Sequence, residues 1–384
     1  MVVGLILAVG SGAGIWLYTA YPREDRKIEE AFCRFTVCDP VRVVVDSQKS
    51  RKPEDFFVLV KRDPHFPLEW ADYGEALAEA GKNAEAEYAF KRAVEFGPHW
   101  PPVTIKALRF HLQHGNRETA LAIGAGILDQ VDTYDSEIFA GYLSAFKDDL
   151  SVVMEKGLPK DDPRAIRAWL AFILYRGKWE DTQKTWDWAT SRGLIDTATA
   201  NKYTAWLLLN HPEAAPKVWK AYLGQHADAG YLKTNYVMNS GFELPFSGSL
   251  MDWTFAPSDG VDAGPDRTNP ASGSWCVRVQ FDGQHNLGYI GLRQDVVLPP
   301  GRFRFKARVR CEGITTDQGV QLRLSPDWVS EAFVGTRPWS SIDLPITNHQ
   351  TKVYQIQLTR TPSIRFDNKL AGTIWLDDVR IEPM

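Results

Sequence analysis

Residues 302–311 read RFRFKARVRC, and basic and apolar side chains alternate along this stretch without a break. Successive side chains of a β-strand point to opposite faces, so one face of this strand is basic and the other is apolar. Such a strand belongs to an antiparallel sheet with one buried and one solvated face. The basic set predicts a partner-binding surface, made of Arg304, Lys306, Arg308 and Arg310.

Period-2 runs recur on both sides of this strand, and Gly and Pro become frequent from Asn239 onward. The other alternating runs are Trp275–Phe281, Leu292–Leu298, Val320–Leu324, Thr351–Leu358 and Thr373–Ile381. Many short strands with turn residues between them are typical of a sandwich. Residues 237–384 are therefore predicted to form an antiparallel β-sandwich or jelly roll.

Three motifs in this region resemble carbohydrate-binding modules of the jelly-roll type: Asn239–Glu243 followed by Trp253, Gly273–Val279, and Ile374–Ile381. The resemblance implies glycan binding on aromatic platforms and a structural calcium ion. In such modules an acidic residue of the first strand and an Asp of the closing strand help to hold the metal. Here those residues are Glu243 and Asp378, with Asp377 as a substitute; the alternative is that both Asp residues merely cap a strand end.

Two tryptophans in loop-like sequence are candidates for stacking on sugars. Trp328 follows Ser325-Pro326-Asp327, and Trp339 follows Arg337-Pro338. The alternative is that these side chains cover the sheet edges or dock on the helical solenoid.

Upstream of the sandwich, from Leu68, apolar residues recur at helical spacing. The pattern resembles the tetratricopeptide repeat, which carries Trp, Gly, Ala, Phe, Ala and Pro at set places in 34 residues. The matching residues are Trp70, Gly74, Ala86, Phe90, Ala93 and Pro98. Leu77 stands where that pattern prefers Tyr. We expect a TPR-like α-solenoid over residues 68–236, which would present a surface for a partner protein.

The first residues contain no charged side chain from Val2 to Tyr21, a length sufficient to cross a bilayer as a helix. We expect residues 1–22 to be a transmembrane anchor rather than a cleaved signal, with Gly10 and Gly14 as a helix-packing motif. Residues 23–67 are interpreted as a connector in which Phe56–Val60 forms a short strand or buried run. These features predict a single-pass inner-membrane protein with the bulk of its chain in the periplasm.

The four cysteines are Cys33, Cys38, Cys276 and Cys311. Two disulfides in an oxidising compartment would account for all of them, and four buried thiols are the alternative. No CxxC pair is present, so a zinc-ribbon site is not expected.

The 384-residue chain has a net charge of -4, which argues against a nucleic-acid partner. No nucleophile elbow, zinc-protease motif or phosphate-binding glycine loop occurs, so we expect no enzymatic activity. The sequence predicts a multidomain α + β protein, a scaffold subunit that binds integral and periplasmic proteins of a large inner-membrane complex, such as a photosynthetic or respiratory assembly. The alternative is a polysaccharide-binding component of exopolysaccharide assembly or export.

Overall fold

A computed structural model of the protein describes residues 52–160 and 162–384. The chain forms two compact units, which divide between residues 160 and 161. The described part of the first unit is helical, and the second unit contains four helices followed by two β-sheets. The predicted order of a helical region followed by a β-sandwich is therefore confirmed.

The first unit consists of six α-helices and one π-helical turn, Val153–Gly157, within its described residues. The helices are α1 (Pro53–Arg62), α2 (Pro67–Glu79), α3 (Asn83–Phe96), α4 (Pro101–Gln113), α5 (Arg117–Gln130) and α6 (Asp135–Ala145). The TPR-like residues sit where α2 packs on α3. A Cβ atom on Gly74 would lie 3.1 Å from the Phe90 ring, so any larger residue there would have to push this ring aside by a few tenths of an ångström.

The predicted strand-like run Phe56–Val60 is wrong, because these residues lie inside α1. Pro53 occupies the first turn, where its missing N–H costs nothing. Acidic Glu54 and Asp55 in the first turn and basic Lys61 and Arg62 in the last turn complement the helix dipole. These end signals outweigh the β-branched and aromatic content of the run.

The predicted transmembrane fold class and single-pass inner-membrane localisation are corrected by the structure. Among residues 52–160 and 162–384 no helix is long and apolar enough to cross a membrane. The longest of these helices have 14 residues, which rise about 21 Å against the ~30 Å of a hydrocarbon core. The stretch 1–22 with Gly10 and Gly14 lies outside the described residues.

The second unit opens with helices and continues into the sandwich. The helices are α7 (Pro163–Arg176), α8 (Trp179–Ser191), α9 (Thr197–Asn210) and α10 (Ala215–Leu223), followed by a 3-10 turn at Gly224–His226. The strands are β1 (Thr254–Phe255), β2 (Val261–Asp266), β3 (Cys276–Asp282), β4 (Tyr289–Leu298), β5 (Gly301–Ile314), β6 (Gln321–Ser325), β7 (Trp328–Val329), β8 (Gly335–Asn348), β9 (Lys352–Arg360) and β10 (Ala371–Pro383).

These strands form two five-stranded antiparallel sheets. One has the order β1-β4-β9-β6-β7, and its outward-facing Val297 and Val353 pack into a cluster with Leu207 and Trp219 of the helices. We call it the helix-covered sheet. The other has the order β2-β3-β10-β5-β8 and is called the open sheet. No residue of the open sheet belongs to this cluster with the helices.

Residues 302–311 form the middle of β5, which lies next to the edge strand of the open sheet. Its apolar face is buried in the core between the sheets, with Phe305 and Val309 both at 0% exposure. Its basic face points outward, as the alternation predicts. The five other predicted strand runs coincide with β3, β4, β6, β9 and β10, although the runs predicted for β3, β6 and β9 begin one residue before the strand.

One long strand, β8, escapes the sequence patterns. It carries Pro338 and Pro345, which normally argue against a strand because proline cannot donate to the ladder. β8 is the edge strand of the open sheet and pairs only with β5. An edge strand tolerates proline because its outer side has no ladder to complete.

The predicted disulfides are corrected for the two cysteines that the structure describes. Cys276 and Cys311 are free buried thiols. Cys276 lies on β3 and Cys311 on β5, with β10 between them. Two strand spacings amount to about 10 Å, beyond the reach of a disulfide. Cys33 and Cys38 lie outside the described residues.

Phe305→Ala should cost the second unit about 3–5 kcal/mol of unfolding free energy, because it removes a fully buried ring from the sandwich core. All strands in the described chain belong to this unit, so hydrogen exchange of the strand amides at increasing urea concentration measures its stability. Phe366→Ala is the matched control, since that ring is 104% exposed, and it should stay within about 0.5 kcal/mol of wild type. Equal losses in the two variants would contradict this packing.

Candidate functional site

The outer face of the open sheet carries a row of arginine and tryptophan side chains. Trp375 on β10 pairs in register with Arg278 on β3 and with Arg310 on β5. Trp339 lies on β8, at the register shift opposite Val309–Cys311. The guanidinium carbon of Arg310 is 3.8 Å from the Trp375 ring centroid and 5.7 Å from that of Trp339. Arg310 therefore joins two indole rings by cation–π contacts.

Hydrogen bonds hold both indoles in place. The Trp339 Nε1–H donates to the carbonyl oxygen of Asn269 at 3.0 Å, and the ring is half-buried. The buried Trp375 donates from Nε1 to Oδ2 of Asp266 at 2.8 Å. Burial alone would raise the pKa of Asp266, but the hydrogen bonds from Trp375 and Thr268 outweigh it and lower the pKa. Asp266 is thus kept ionised under Trp375.

The loop of residues 267–275, between β2 and β3, is clamped to this face by two carboxylates. Glu243 accepts backbone N–H groups of Ser274 and Trp275 on one oxygen, at 2.7 and 3.0 Å. Charge-assisted bonds of this kind are among the stronger hydrogen bonds in proteins. Glu243 therefore fixes the end of the loop that leads into β3.

Asp377 on β10 holds the middle of the same loop. Its Oδ2 accepts from the backbone N–H groups of Ala271 at 2.8 Å and Ser272 at 3.0 Å. Its Oδ1 accepts from the N–H of Asp378 at 2.7 Å. Burial raises the pKa of Asp377, although these three amides pull the pKa down. The loop and the closing strand are thereby joined through one buried carboxyl group.

The three predicted calcium ligands are brought to one region but take different partners. Glu243 and Asp377 both bind the loop, whereas Asp378 pairs with Arg380 at 3.0 Å. Within residues 52–160 and 162–384 no group of three or more His, Cys, Asp or Glu side chains is arranged to hold a metal ion. Oxygen donors suit calcium, but here the carboxylate oxygens accept N–H groups. The calcium site stays a prediction.

The four basic residues proposed to bind a partner fall into two pairs of different character. Arg304 forms an ion pair with Asp343 at 2.8 Å, and Lys306 forms one with Glu382 at 2.6 Å. Arg308 and Arg310 make no ion pair with the residues that the structure describes, and their Nε atoms are buried without a hydrogen-bond partner there. Arg302, at the exposed start of β5, also has no ion pair among the described residues, so Arg308 and Arg310 are the half-buried members of the unpaired set.

The two candidate sugar-stacking tryptophans also differ. Trp328 on β7 is half-buried, packs against the sandwich core and meets the Phe305 ring edge-on at 5.9 Å. Trp339 lies beside Arg310 on the outer face of the open sheet. Only Trp339 therefore belongs to the arginine–tryptophan row.

A surface loop that the sequence analysis missed exposes two large apolar side chains. Ile364 is 99% exposed and Phe366 is 104% exposed, both in the loop between β9 and β10. The signal in the sequence is an apolar pair, Ile-Arg-Phe, inside a turn-rich segment that begins with Pro362 and ends near Asn368. We call residues 361–370 the apolar loop.

The first unit has an aromatic groove of its own. Phe57, Trp70, Tyr73 and Tyr88 line a cavity of about 390 Å³ between α1, α2 and α3, with Glu85 at its border. Phe57 stacks on Tyr73 with the ring centroids 5.3 Å apart. Burial, together with the charges of Glu85 and Glu54, raises the pKa of Tyr73. The groove is apolar with an acidic border.

No protein-family model matches the chain, and no curated protein matches it. Among solved structures, a CBM61 module in complex with β-1,4-galactotriose, TmCBM61, is 19% identical over 39% of this chain and 99% of its own, with a TM-score of 0.27. A CBM22-1 xylan-binding domain from Paenibacillus barcinonensis is 14% identical over 38% of this chain and 91% of its own, with a TM-score of 0.24.

A further solved structure is similar to this chain in its helices. YrrB, a TPR protein with an unusual peptide-binding site, is 11% identical over 44% of this chain and 92% of its own, with a TM-score of 0.24. At such TM-scores these likenesses carry no argument about function. The architecture rests on the helices and sheets described above.

Glu243→Ala should loosen the clamped loop, because the amides of Ser274 and Trp275 lose their charged acceptor. A loss of about 1–3 kcal/mol would speed hydrogen exchange of these two amides by about tenfold or more. Glu331→Ala is the control, since Glu331 is 73% exposed and pairs only with Arg337 among the described residues.

The same exchange measurement tests the calcium prediction. If calcium binds through Glu243, adding calcium slows exchange of the loop amides in wild type and has no effect in Glu243→Ala. If the loop amides of the wild type exchange at the same rate with calcium as with a chelator, the calcium prediction is wrong. Unchanged exchange in Glu243→Ala would contradict the clamp itself.

Proposed function

We propose that this protein is a non-catalytic binding protein whose β-sandwich binds a carbohydrate on the outer face of the open sheet. The observation that carries the proposal is the position of Trp339, a half-buried indole on this outer face, held by Asn269 and flanked by Arg310. A fixed indole offers a flat apolar surface on which the C–H face of a sugar ring can stack. The resemblance of the sandwich motifs to carbohydrate-binding modules points to the same ligand class.

Polar groups beside Trp339 supply what a sugar needs besides stacking. Sites for small ligands combine an apolar surface with a few fixed polar groups that set orientation. Arg310 can donate to sugar hydroxyls, and Ser341 lies on β8 in register with Arg308. The loop 267–275 borders the surface and is fixed at two points, by Glu243 and Asp377. A prearranged surface of this kind loses little entropy on binding.

The state of the neighbouring acids supports binding rather than hydrolysis. Glycoside hydrolysis needs a carboxyl pair free to donate a proton and to attack or activate water. Oxygens of Glu243 and Asp377 accept backbone N–H groups, and Asp266 accepts the Trp375 indole N–H. These carboxylates already serve the fold, so we propose no catalytic role for them.

Trp339→Ala should weaken binding of the cognate polysaccharide by at least about 2 kcal/mol, about thirtyfold in Kd, because the stacking surface is removed. Affinity gel electrophoresis and calorimetry against a panel of plant and bacterial polysaccharides provide the measurement. Trp188→Ala is the matched control, because Trp188 is also half-buried and also contacts an arginine, Arg192, at 4.6 Å.

If the folded Trp339→Ala variant binds the polysaccharide with wild-type affinity, the ligand must bind elsewhere on the sandwich. A folded wild type that binds no polysaccharide in the panel would overturn the proposed function.

A second candidate function, docking of a partner protein, is favoured by the apolar loop. Its tip exposes Ile364 and Phe366 to water, which is costly unless another surface covers them. Its base is rigid: the buried Arg360 donates to the side-chain oxygen of Asn286 at 2.8 Å and to the carbonyl oxygen of Asn368 at 3.1 Å. Rigid apolar anchors of this kind are typical of binding hot spots.

The base of the apolar loop has further support from Ser363. Its hydroxyl donates to Asp317 at 2.6 Å, and its backbone N–H donates to the Asn286 side-chain oxygen at 3.0 Å. The exposed tip is therefore displayed by ordered backbone. Such preorganisation favours association with a partner that has an apolar pocket.

A photo-crosslinking amino acid at position 366 should give one defined crosslinked product in the native cells, and Ile364→Ser should abolish that product. The same crosslinker at Tyr175, which is 75% exposed on α7, is the control for random collisions. Indistinguishable product patterns from the two positions would rule out docking through the apolar loop.

A further inference from the structure

We propose that the carbohydrate bound on the open sheet is acidic, and that Arg308 and Arg310 bind the carboxylate of a uronic acid unit. This inference rests on the proposed glycan-binding function and names the class of ligand. It comes from the pairing of charges on β5, from the burial of two guanidinium groups and from their position beside Trp339.

The charge pairing separates two basic residues from their neighbours. Arg304 and Lys306 each have an acidic partner on an adjacent strand, Asp343 on β8 and Glu382 on β10. Arg278 on β3 is likewise paired, with Asp262 at 2.5 Å. The remaining outward guanidinium groups in this row belong to Arg308 and Arg310. Arg302, at the exposed start of β5, is also unpaired, and the exposed Glu312 follows Arg310 on the same face without forming an ion pair among the described residues. Arg308 and Arg310 are therefore the half-buried cations of this face that no acid of the described chain contacts.

The surroundings of Arg308 and Arg310 make this an incomplete site rather than an ordinary solvated surface. Both residues are half-buried, and their Nε atoms are shielded from water with no hydrogen-bond acceptor among the described residues. A shielded N–H without an acceptor carries a desolvation cost. The Nε atoms are shielded from a ligand at the surface as well, so a bound carboxylate would accept from the terminal Nη groups of these half-buried side chains and would supply the missing negative charge. A neutral hydroxyl would supply only the acceptor.

The nearest carboxylate on the paired strand does not serve this purpose. Asp377 lies opposite Arg308 in the register of β5 and β10. Its oxygens are occupied by three backbone N–H groups, of Ala271, Ser272 and Asp378. Asp377 therefore hydrogen-bonds to the loop and forms no ion pair with Arg308. An acid from outside can take that place.

The spacing of the two arginines suits one ligand that also touches Trp339. Residues two apart on a strand share a face and lie about 6.8 Å apart. Arg310 is already fixed by Trp375, so its planar group loses little freedom when it binds. A sugar ring on Trp339 would bring its substituents next to Arg310 and the adjoining Arg308. Arginine forks match the planar carboxylate by paired hydrogen bonds.

The test compares ligands that differ only in charge. Calorimetry of the full chain is carried out with oligogalacturonate and with the same oligosaccharide fully methyl-esterified, with a neutral galactan oligosaccharide as a third probe. The acid should bind at least tenfold more tightly than its ester. Raising the salt concentration should weaken binding of the acid and leave binding of the ester nearly unchanged.

Matched arginine variants then assign the effect to residues. Arg308→Gln and Arg310→Gln should each lower the affinity for the acid at least tenfold more than they lower the affinity for the ester. Arg304→Gln and Lys306→Gln, which remove cations that already have partners, should change acid binding by less than threefold. Arg310→Lys keeps the charge without the fork and should fall between wild type and Arg310→Gln. Circular dichroism checks that each variant is folded.

The outcomes separate the two proposals. Equal affinity for acid and ester, with loss of both in Trp339→Ala, overturns the acidic ligand and leaves glycan binding intact. Equal losses in Arg304→Gln and Arg308→Gln also overturn the inference, because binding would then follow overall charge. A folded protein that binds none of the three probes, nor any polysaccharide in the wider panel, removes glycan binding itself and the inference with it.

Discussion

The strands of this sandwich must hide their apolar faces against the opposite sheet, and that requirement fixes which surfaces remain for function. Phe305 and Val309 turn inward, so the basic side chains between them have to turn outward. On the helix-covered sheet, Val297 and Val353 point outward and pack against the helices. No residue of the outer face of the open sheet belongs to that helix cluster. Core burial thus determines where the arginine–tryptophan row lies.

Acidic side chains on the open sheet divide into those that hold the protein together and those that neutralise cations. Glu243 and Asp377 bind the backbone of loop 267–275, and Asp343 and Glu382 pair with β5. Each of these acids has another partner, so none of them pairs with Arg308 or Arg310. The positive charge of these two neighbouring residues therefore stays unpaired. The net charge of -4 for the whole chain does not reveal this local positive charge.

Much of the fold follows from the sequence because alternation and helical spacing are local signals. Residues 302–311 predict both faces of β5 correctly, and Gly74 with Phe90 marks the TPR-like pair. β8 was missed because tolerance of Pro338 depends on its place at a sheet edge, which no local pattern records. The pairing of Arg304 and Lys306, but not of Arg308, depends equally on strand order. The membrane anchor was expected from apolar length alone, and the described helices do not supply one.

Loop 267–275 leaves the open sheet and returns to it at the same rung of the ladder. Asp266 at the end of β2 pairs with Cys276 at the start of β3, and the Cys276 thiol lies 3.5 Å from the Asp266 carbonyl oxygen. The segment between them is thus the connecting loop of the β2–β3 hairpin. The entropy of closing such a loop grows only slowly with its length. A longer or different loop here would leave the strand ladder paired, but it would take from the buried Asp377 the amides of Ala271 and Ser272, so the rim of the surface and this buried acid have to change together.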